Sequence, residues 1–343
     1  MTGARAFIVG VAGPRLSAQE ETFLREARPW GLIVFERNVG GLDQLRELVA
    51  GFRAAVGRAD APVLIDQEGG RVQRLKPPLA PRYPCARDLG ALAAVDAAAG
   101  ERATWLSARL IAHDLAGVGI TVDCLPVLDL PTPGAHAVIG ERAYGRSPDL
   151  VATLGRAAIA GLAAGGVLPV IKHIPGHGRA RADSHVDLPV IDTRRAELEV
   201  TDFVPFRALA DAPLAMTAHV LYTAIDAARP ATLSPVVIGE IIRAAIGFDG
   251  CLMSDDVSMG ALAGPVGEMA RQALAAGCDL ALHCNGDIAE MAAIAAAVPE
   301  LSGDALRRAD AALAARAAPE PLDVAAARAE LDGLMRTVGA FAG

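Results

Sequence analysis

The chain has 343 residues, 52% of them hydrophobic, with mean hydropathy +0.34, enough for one large core or two smaller ones. Its net charge of −8 and isoelectric point near 5.4 argue against a nucleic-acid or anionic-membrane surface, because phosphate binding needs a basic stripe. No apolar run reaches the roughly 20 residues that span a bilayer, and no basic region followed by a long apolar segment and cleavage site opens the chain, so a cytoplasmic location is expected.

Apolar, β-branched runs alternate with stretches of helical period from one end to the other. Eight runs read as strands: residues 6–11, 31–35, 62–65, 120–128, 168–171, 214–217, 251–254 and 279–282. Between the second and third, Leu42, Leu45, Leu48, Val49 and Phe52 fall on one helical face, as a crossover helix requires. From about residue 304 the chain is rich in Ala and Arg and reads as helices on the outside, with Pro319 and Pro321 separating two of them. No linker marks a second domain. The expectation is an α/β fold, a (β/α)8 TIM-type barrel, with residues 1–343 forming a single catalytic domain.

Other classes lack their marks. Nothing reads G-x-G-x-x-G after the first strand, and neither lysine sits in a P-loop. Cys85, Cys124, Cys251, Cys278 and Cys284 are odd in number and form no C-x-x-C pair, so buried free thiols are expected rather than a disulfide framework or a zinc ribbon.

Ionisable groups follow the runs. After the third comes Asp66-Gln67-Glu68-Gly69-Gly70-Arg71, after the fourth Asp129, after the fifth Lys172-His173, after the sixth His219, after the seventh Asp255-Asp256, and after the eighth His283 and Asn285. In a barrel these ends share one rim, the C-terminal face where βα loops build active sites.

The densest stretch is IKHIPGHGRARADSHVDLP, residues 171–189, which holds three of the seven histidines and Lys172, one of two lysines; the other, Lys76, reads as a solvated surface cation. His173 and His177 have the spacing of a helical metal pair, but Pro175 and Gly176 lie between them and forbid the helix. In Asp183-Ser184-His185 the carboxylate stands two residues before the imidazole, on the same side of an extended loop, so it can fix the tautomer and raise the basicity of a general acid/base. The small residues Gly176, Gly178, Ala180 and Ala182 read as flexibility that lets His185 swing toward a substrate. Asp255 and Asp256 point to opposite sides of an extended strand, so one carboxylate faces the mouth, where it suits nucleophilic attack on an electrophilic carbon.

KHIPGHG followed by DSH, with IDQEGGRVQRL at 65–75, VIGERAYG at 138–145 and MSDDVSM at 253–259, resembles the bacterial β-N-acetylglucosaminidases of glycoside hydrolase family 3. GLIVFERN at 31–38 and TAHVLY at 217–222 are similar to the family as well. The resemblance implies a single barrel and a retaining hydrolase of terminal β-linked N-acetylglucosamine. It implies Asp255 as nucleophile and His185 with Asp183 as the acid/base dyad. Asp66, Arg74, Arg142, Lys172, His173 and, at the same rim, His219 would bind substrate. It further implies a saccharide or muropeptide substrate from recycled cell wall inside the cell, and no cofactor or metal. A monomer is expected, with no nucleic-acid or membrane partner.

Two other readings of these residues stay open. A phosphorylase of the same family would use phosphate in place of water, and a metal-dependent amidohydrolase barrel would use His173, His177 and Asp255. A barrel that only binds carbohydrate would need no intact nucleophile or dyad.

Overall fold

A computed structural model describes residues 3–184, 186–337 and 339. Eight parallel strands close into a barrel in sequence order: β1 (Arg5–Val9), β2 (Pro29–Val34), β3 (Val63–Ile65), β4 (Val122–Asp123), β5 (Leu168–Ile174), β6 (Leu214–Thr217), β7 (Cys251–Asp256) and β8 (Leu280–His283). The last pairs with the first through Phe7↔Ala281, Ile8↔Leu282 and Val9↔His283. This is the expected (β/α)8 architecture.

Each strand is followed by helix. α1 (Ala18–Ala27) and α2 (Leu42–Val56) follow β1 and β2, and α3 (Ala86–Val95) with α4 (Ala97–Ala116) follow β3. α5 (Pro148–Ala164) follows β4. Local chemistry starts them: the Ser17 hydroxyl accepts the Glu20 amide at 3.2 Å while the Glu20 carboxylate accepts the Ser17 amide at 2.8 Å, a reciprocal cap on α1. In α2 the anticipated face holds, with Leu45, Leu48, Val49 and Phe52 buried.

Two expected boundaries move. The run at 120–128 forms a ladder only over Val122–Asp123, because Pro126 has no N–H to donate. The chain still bonds to β5 beyond it, through the Leu125 and Pro126 carbonyls and the Leu128 amide. β5 runs three residues past its expected end, so Lys172 and His173 belong to the strand itself.

The tail also differs in part. The helix Gly303–Ala314 contributes Ala309 and Ala312 to the apolar cluster inside the barrel, closing its N-terminal end rather than joining the outer ring. The helix Val324–Arg336 packs outside on α4.

Alternation along the strands assigns the interior. Ile8, Ile33, Leu64, Val122, Val170, Met216, Met253 and Leu282 fill the barrel, and their chain neighbours such as Phe7, Val9, Leu252 and Ala281 pack under the helices. Two residues beyond each inward apolar position comes the next inward one, and at the C-terminal end these are Phe35, Asp66, Lys172, Asp255 and Cys284. The same parity that builds the apolar core thus delivers the polar site on top of it.

α5 meets α4 at Gly161, where a Cβ would lie 2.4 Å from the Trp105 carbonyl oxygen. Helix propensity alone favours alanine there by about 1 kcal/mol, whereas overpacking costs about 1–3 kcal/mol. The contact is with backbone, which cannot rotate away, so Gly161→Ala is expected to lower the urea unfolding midpoint. A raised midpoint would show that propensity outweighs the close approach.

Candidate active site

The inward residues at the C-terminal ends wall a cavity of about 120 Å3, lined by Asp66, Arg142, Lys172, His173, Asp255 and Asp256, with His177, Ser184 and apolar Ile33, Phe35 and Met216. Lys172 is at its centre. Its ammonium donates to Asp66 Oδ1 at 2.8 Å and lies 2.7 Å from Glu68 Oε1. Arg142, brought in by the turn Gly140–Arg142, clasps Glu68 through two bonds of 2.8 Å, and Arg74 donates to Asp66 Oδ2 at 3.0 Å. Three cations and two carboxylates form one network, and Asp255 supplies a third anion facing it.

Burial would push each of these groups toward its neutral form, and the neighbours reverse that. Lys172 and Arg74 overcome burial and hold the Asp66 carboxyl below the usual carboxylate range. Arg142 and Lys172 do the same for Glu68, down to about 2. The Lys172 ammonium is held above its ordinary value against burial by Asp66 and Glu68. For Asp255, burial raises the carboxyl, but the His219 and His173 imidazoles, the Asp256 amide and Lys172 hold it below its ordinary value, so it is ionised at neutral pH.

Asp123 is the exception. Burial pushes its carboxyl well above the ordinary value, and its Oδ2 has no partner among the described residues, while Oδ1 accepts the Gln67 amide at 2.9 Å. Unlike Asp66 and Glu68, it has no bonded cation to reverse the effect of burial.

A second cluster orients the 173–184 segment. Asp129 accepts the His177 amide at 2.6 Å and pairs with His173 Nδ1 at 2.6 Å, which leaves the other edge of the His173 ring toward the cavity. His177 Nε2 lies 3.2 Å from the Ser184 hydroxyl, and burial lowers this imidazole to about 4, so a neutral ring shares one hydrogen bond with Ser184. The Ser184 carbonyl accepts the Ala261 amide at 3.1 Å. The segment is therefore tied down at several points. Gly178 allows a close approach, since a Cβ there would lie 2.1 Å from the Leu130 carbonyl oxygen.

The expected site residues thus divide. Asp66, Arg142, Lys172, His173 and Asp255 line one cavity. A register shift between Lys172 and Ile174 breaks strand alternation, which lets consecutive Lys172 and His173 both do so. His185 lies outside the described residues; Ser184, between it and Asp183, reaches the cavity. Arg74 and His219 do not line it. Arg74 reaches Asp66 from the side, stacked over the Phe35 ring at 5.1 Å. His219, expected to open onto the cavity, is fully buried behind β7, donating from Nε2 to the Asp256 carbonyl at 2.9 Å and accepting from Thr232 at Nδ1, 2.7 Å away.

Asp256 also departs from the alternation. A register shift between β7 and β8 brings it to the cavity wall together with Asp255, but its Oδ1 is committed to the Ser258 amide and hydroxyl at 3.0 and 2.8 Å. Sequence reading passed over Glu68 and Ser184 as site residues and weighed His177 only as a metal ligand. Each sits inside a motif singled out for its neighbours, and only the fold shows which way its side chain turns.

An ionised carboxylate facing a dense set of buried cations and carboxylates at the C-terminal mouth of a (β/α)8 barrel suits a glycosidase. Residues 7–314 match the glycosyl hydrolase family 3 N-terminal domain, and the chain belongs to that family. A β-hexosaminidase of Alkalilimnicola ehrlichii is 42% identical over 282 residues, covering 81% of this chain and 80% of its own length. One from Methylococcus capsulatus is 41% identical over 279 residues, covering 80% and 81%. The crystal structure of NagZ from Neisseria gonorrhoeae in complex with N-trifluoroacetyl-D-glucosamine is similar with a TM-score of 0.84 and 33% identity, over 98% of this chain and 97% of that one. The protein is a glycoside hydrolase acting as a β-N-acetylhexosaminidase. No helix among its described residues is long and apolar enough to cross a membrane.

Because the Glu68 carboxyl lies below its ordinary 4.5, it contributes stability that is present above that value and lost as pH falls toward about 2. Glu68→Gln should therefore shrink the loss of unfolding free energy between roughly pH 5 and 2, while lowering stability at pH 7, where Arg142 and Lys172 lose a shared anion. Urea unfolding at a series of pH values reads both effects. An acid limb identical to wild type would remove Glu68 from the titration.

Proposed function

We propose that this β-N-acetylhexosaminidase releases terminal β-linked N-acetylglucosamine from peptidoglycan fragments, such as N-acetylglucosaminyl-1,6-anhydro-N-acetylmuramic acid and its peptides, with retention of configuration, during cell-wall recycling in the cytoplasm. The reading takes residues 1–343 as one catalytic domain acting as a monomer without cofactor. What carries it is the ionised Asp255 carboxylate, aimed into a cavity whose other walls are Asp66, Lys172, Arg142 and His173. The 2-acylamino sugar named for the gonococcal neighbour supports an N-acetyl sugar as the group bound there.

In this reading Asp255 attacks the anomeric carbon as the bond to the departing oxygen breaks. His185 gives that oxygen its proton and Asp183 orients the imidazole. Water then loses a proton to His185 and attacks the glycosyl–Asp255 ester, restoring the β configuration. Asp66 accepts bonds from sugar hydroxyls, while Arg142, Lys172 and His173 donate. Arg74 holds Asp66 in place, and His219 braces the end of β7 through the Asp256 carbonyl.

The metal-dependent alternative fares less well on donor geometry. His177 turns Nε2 to Ser184, and no three His, Cys, Asp or Glu side chains among the described residues converge as a metal set. The phosphorylase alternative is separated by product: a requirement for inorganic phosphate with release of the sugar 1-phosphate would replace hydrolysis.

Asp255→Ala should lower kcat by about three orders of magnitude or more, as loss of a covalent route does. Asp256→Ala should cost far less, and a 2-fluoro glycoside inhibitor should label Asp255; label on Asp256 would reverse the assignment. For the dyad, His185→Ala should leave glycosylation by an acidic phenol glycoside largely intact, since that leaving group needs no proton. A sugar leaving group should suffer by about 10²–10⁴-fold. Equal losses on both would move the acid/base role elsewhere. A strong preference for an aryl β-glucoside over the aryl β-N-acetylglucosaminide would overturn the substrate reading.

A further inference from the structure

Glu141 and Arg142 are neighbours in sequence and face different cavities. Arg142 lines the catalytic one, and Glu141 lines a second, of about 550 Å3, walled by the hairpin at residues 67–73, the loop before α3 and the first turn of α3. The hairpin divides the same way: Glu68 turns to Arg142 and Lys172, whereas Gly70 and Arg71 line the second cavity. Arg71 joins the two. Its guanidinium donates to the carbonyls of Ala137 at 3.0 Å and Ile139 at 3.4 Å, in the segment whose Val138 and Ile139 wall the catalytic cavity.

The second cavity is basic in an acidic protein. Arg71, Lys76, Arg82 and Arg87 line it against two carboxylates, Asp88 and Glu141, while the chain as a whole carries −8. Two of the cations are already engaged: Arg71 with the carbonyls above, and Lys76 with Glu36 at 2.7 Å. The other two are available. Arg82 makes no side-chain hydrogen bond or ion pair among the described residues, and Arg87 lies 3.8 Å from Glu141 and 4.0 Å from Asp88, beyond hydrogen-bonding distance.

We infer that this cavity binds an anionic arm of the aglycone, a short peptide bearing free carboxylates, as the departing part of the substrate passes over the Val138–Ile139 rim. The inference rests on the peptidoglycan-fragment reading above. A guanidinium presents two parallel N–H groups that match a carboxylate, and Arg82 and Arg87 are the pair with donors to spare. Because the arm is remote from the reacting carbon, its contacts are equal in ground and transition states and act on KM rather than kcat. Both side chains are solvent-facing, so the attraction weakens as salt rises.

The test compares wild type with Arg82→Ala/Arg87→Ala on three substrates: an aryl β-N-acetylglucosaminide, the anhydro-disaccharide carrying a tripeptide with free carboxylates, and the same compound with those carboxylates amidated. The double variant should lose about 3- to 30-fold in kcat/KM on the carboxylated substrate, through KM, the range that two exposed ion pairs supply. The aryl and amidated substrates should be unchanged, and the wild-type preference for the carboxylated form should shrink as salt is raised. Equal kcat/KM for wild type and variant on the carboxylated substrate would overturn the assignment of the cavity alone, as would a matching loss on the aryl substrate. If wild type cleaves the aryl substrate but neither disaccharide, the fragment reading fails and this inference with it.

Discussion

Lys172 keeps a full charge with its side chain 2% exposed, and the organisation of the site follows from how that charge is accommodated. An isolated ammonium in such surroundings would be neutralised or would expel the strand that carries it. Two carboxylates within 2.8 Å prevent this, and they in turn would be untenable without Arg142 and Arg74 on their far sides. Removing any one member leaves a buried charge without its counter-ion, which is far more costly than losing an exposed pair. The network thus holds the strand ends β3 and β5 and the 138–142 turn in one arrangement.

The same network has an electrostatic consequence for catalysis. At Asp255 the His219 and His173 imidazoles, the Asp256 amide and Lys172 outweigh burial, so the carboxylate remains ionised, as the nucleophile proposed above must be. Asp123, with no cation bonded to it, is pushed the opposite way, its carboxyl raised well above the ordinary value by burial. Asp123 is fully buried and Asp255 half-buried, so depth and partners both separate the two aspartates. Such contrasts in environment are how one barrel sets different protonation states for chemically identical side chains.

Asp129 plays a comparable part for the loop after β5. One carboxylate receives the His177 amide and the His173 ring, and His177 passes the constraint on to Ser184. Within the segment expected to be loosened by small residues, Gly178 is admitted because the Leu130 backbone passes too close for any side chain. Small residues there reflect crowding at least as much as freedom.

Much of this was legible in the chain itself. Eight β-branched runs separated by helical periods point to a parallel sheet under helices, and ionisable residues after six of them rather than at one switch point single out the barrel, whose rim they share. Asp66, Lys172 and Asp255 could be placed at the mouth by counting two residues beyond an inward apolar position. Alternation could not place their neighbours. Glu68 and Arg142 meet across 74 residues, His173 and Asp256 enter the cavity only because pairing slips at the ends of β5 and β7, and His219 is drawn behind the wall by Thr232 and the Asp256 carbonyl. Periodicity is a property of a local stretch of backbone and survives into the fold. Which charge answers which, and where a strand breaks its own register, is decided by contacts between segments far apart in sequence, and only the tertiary structure brings those together.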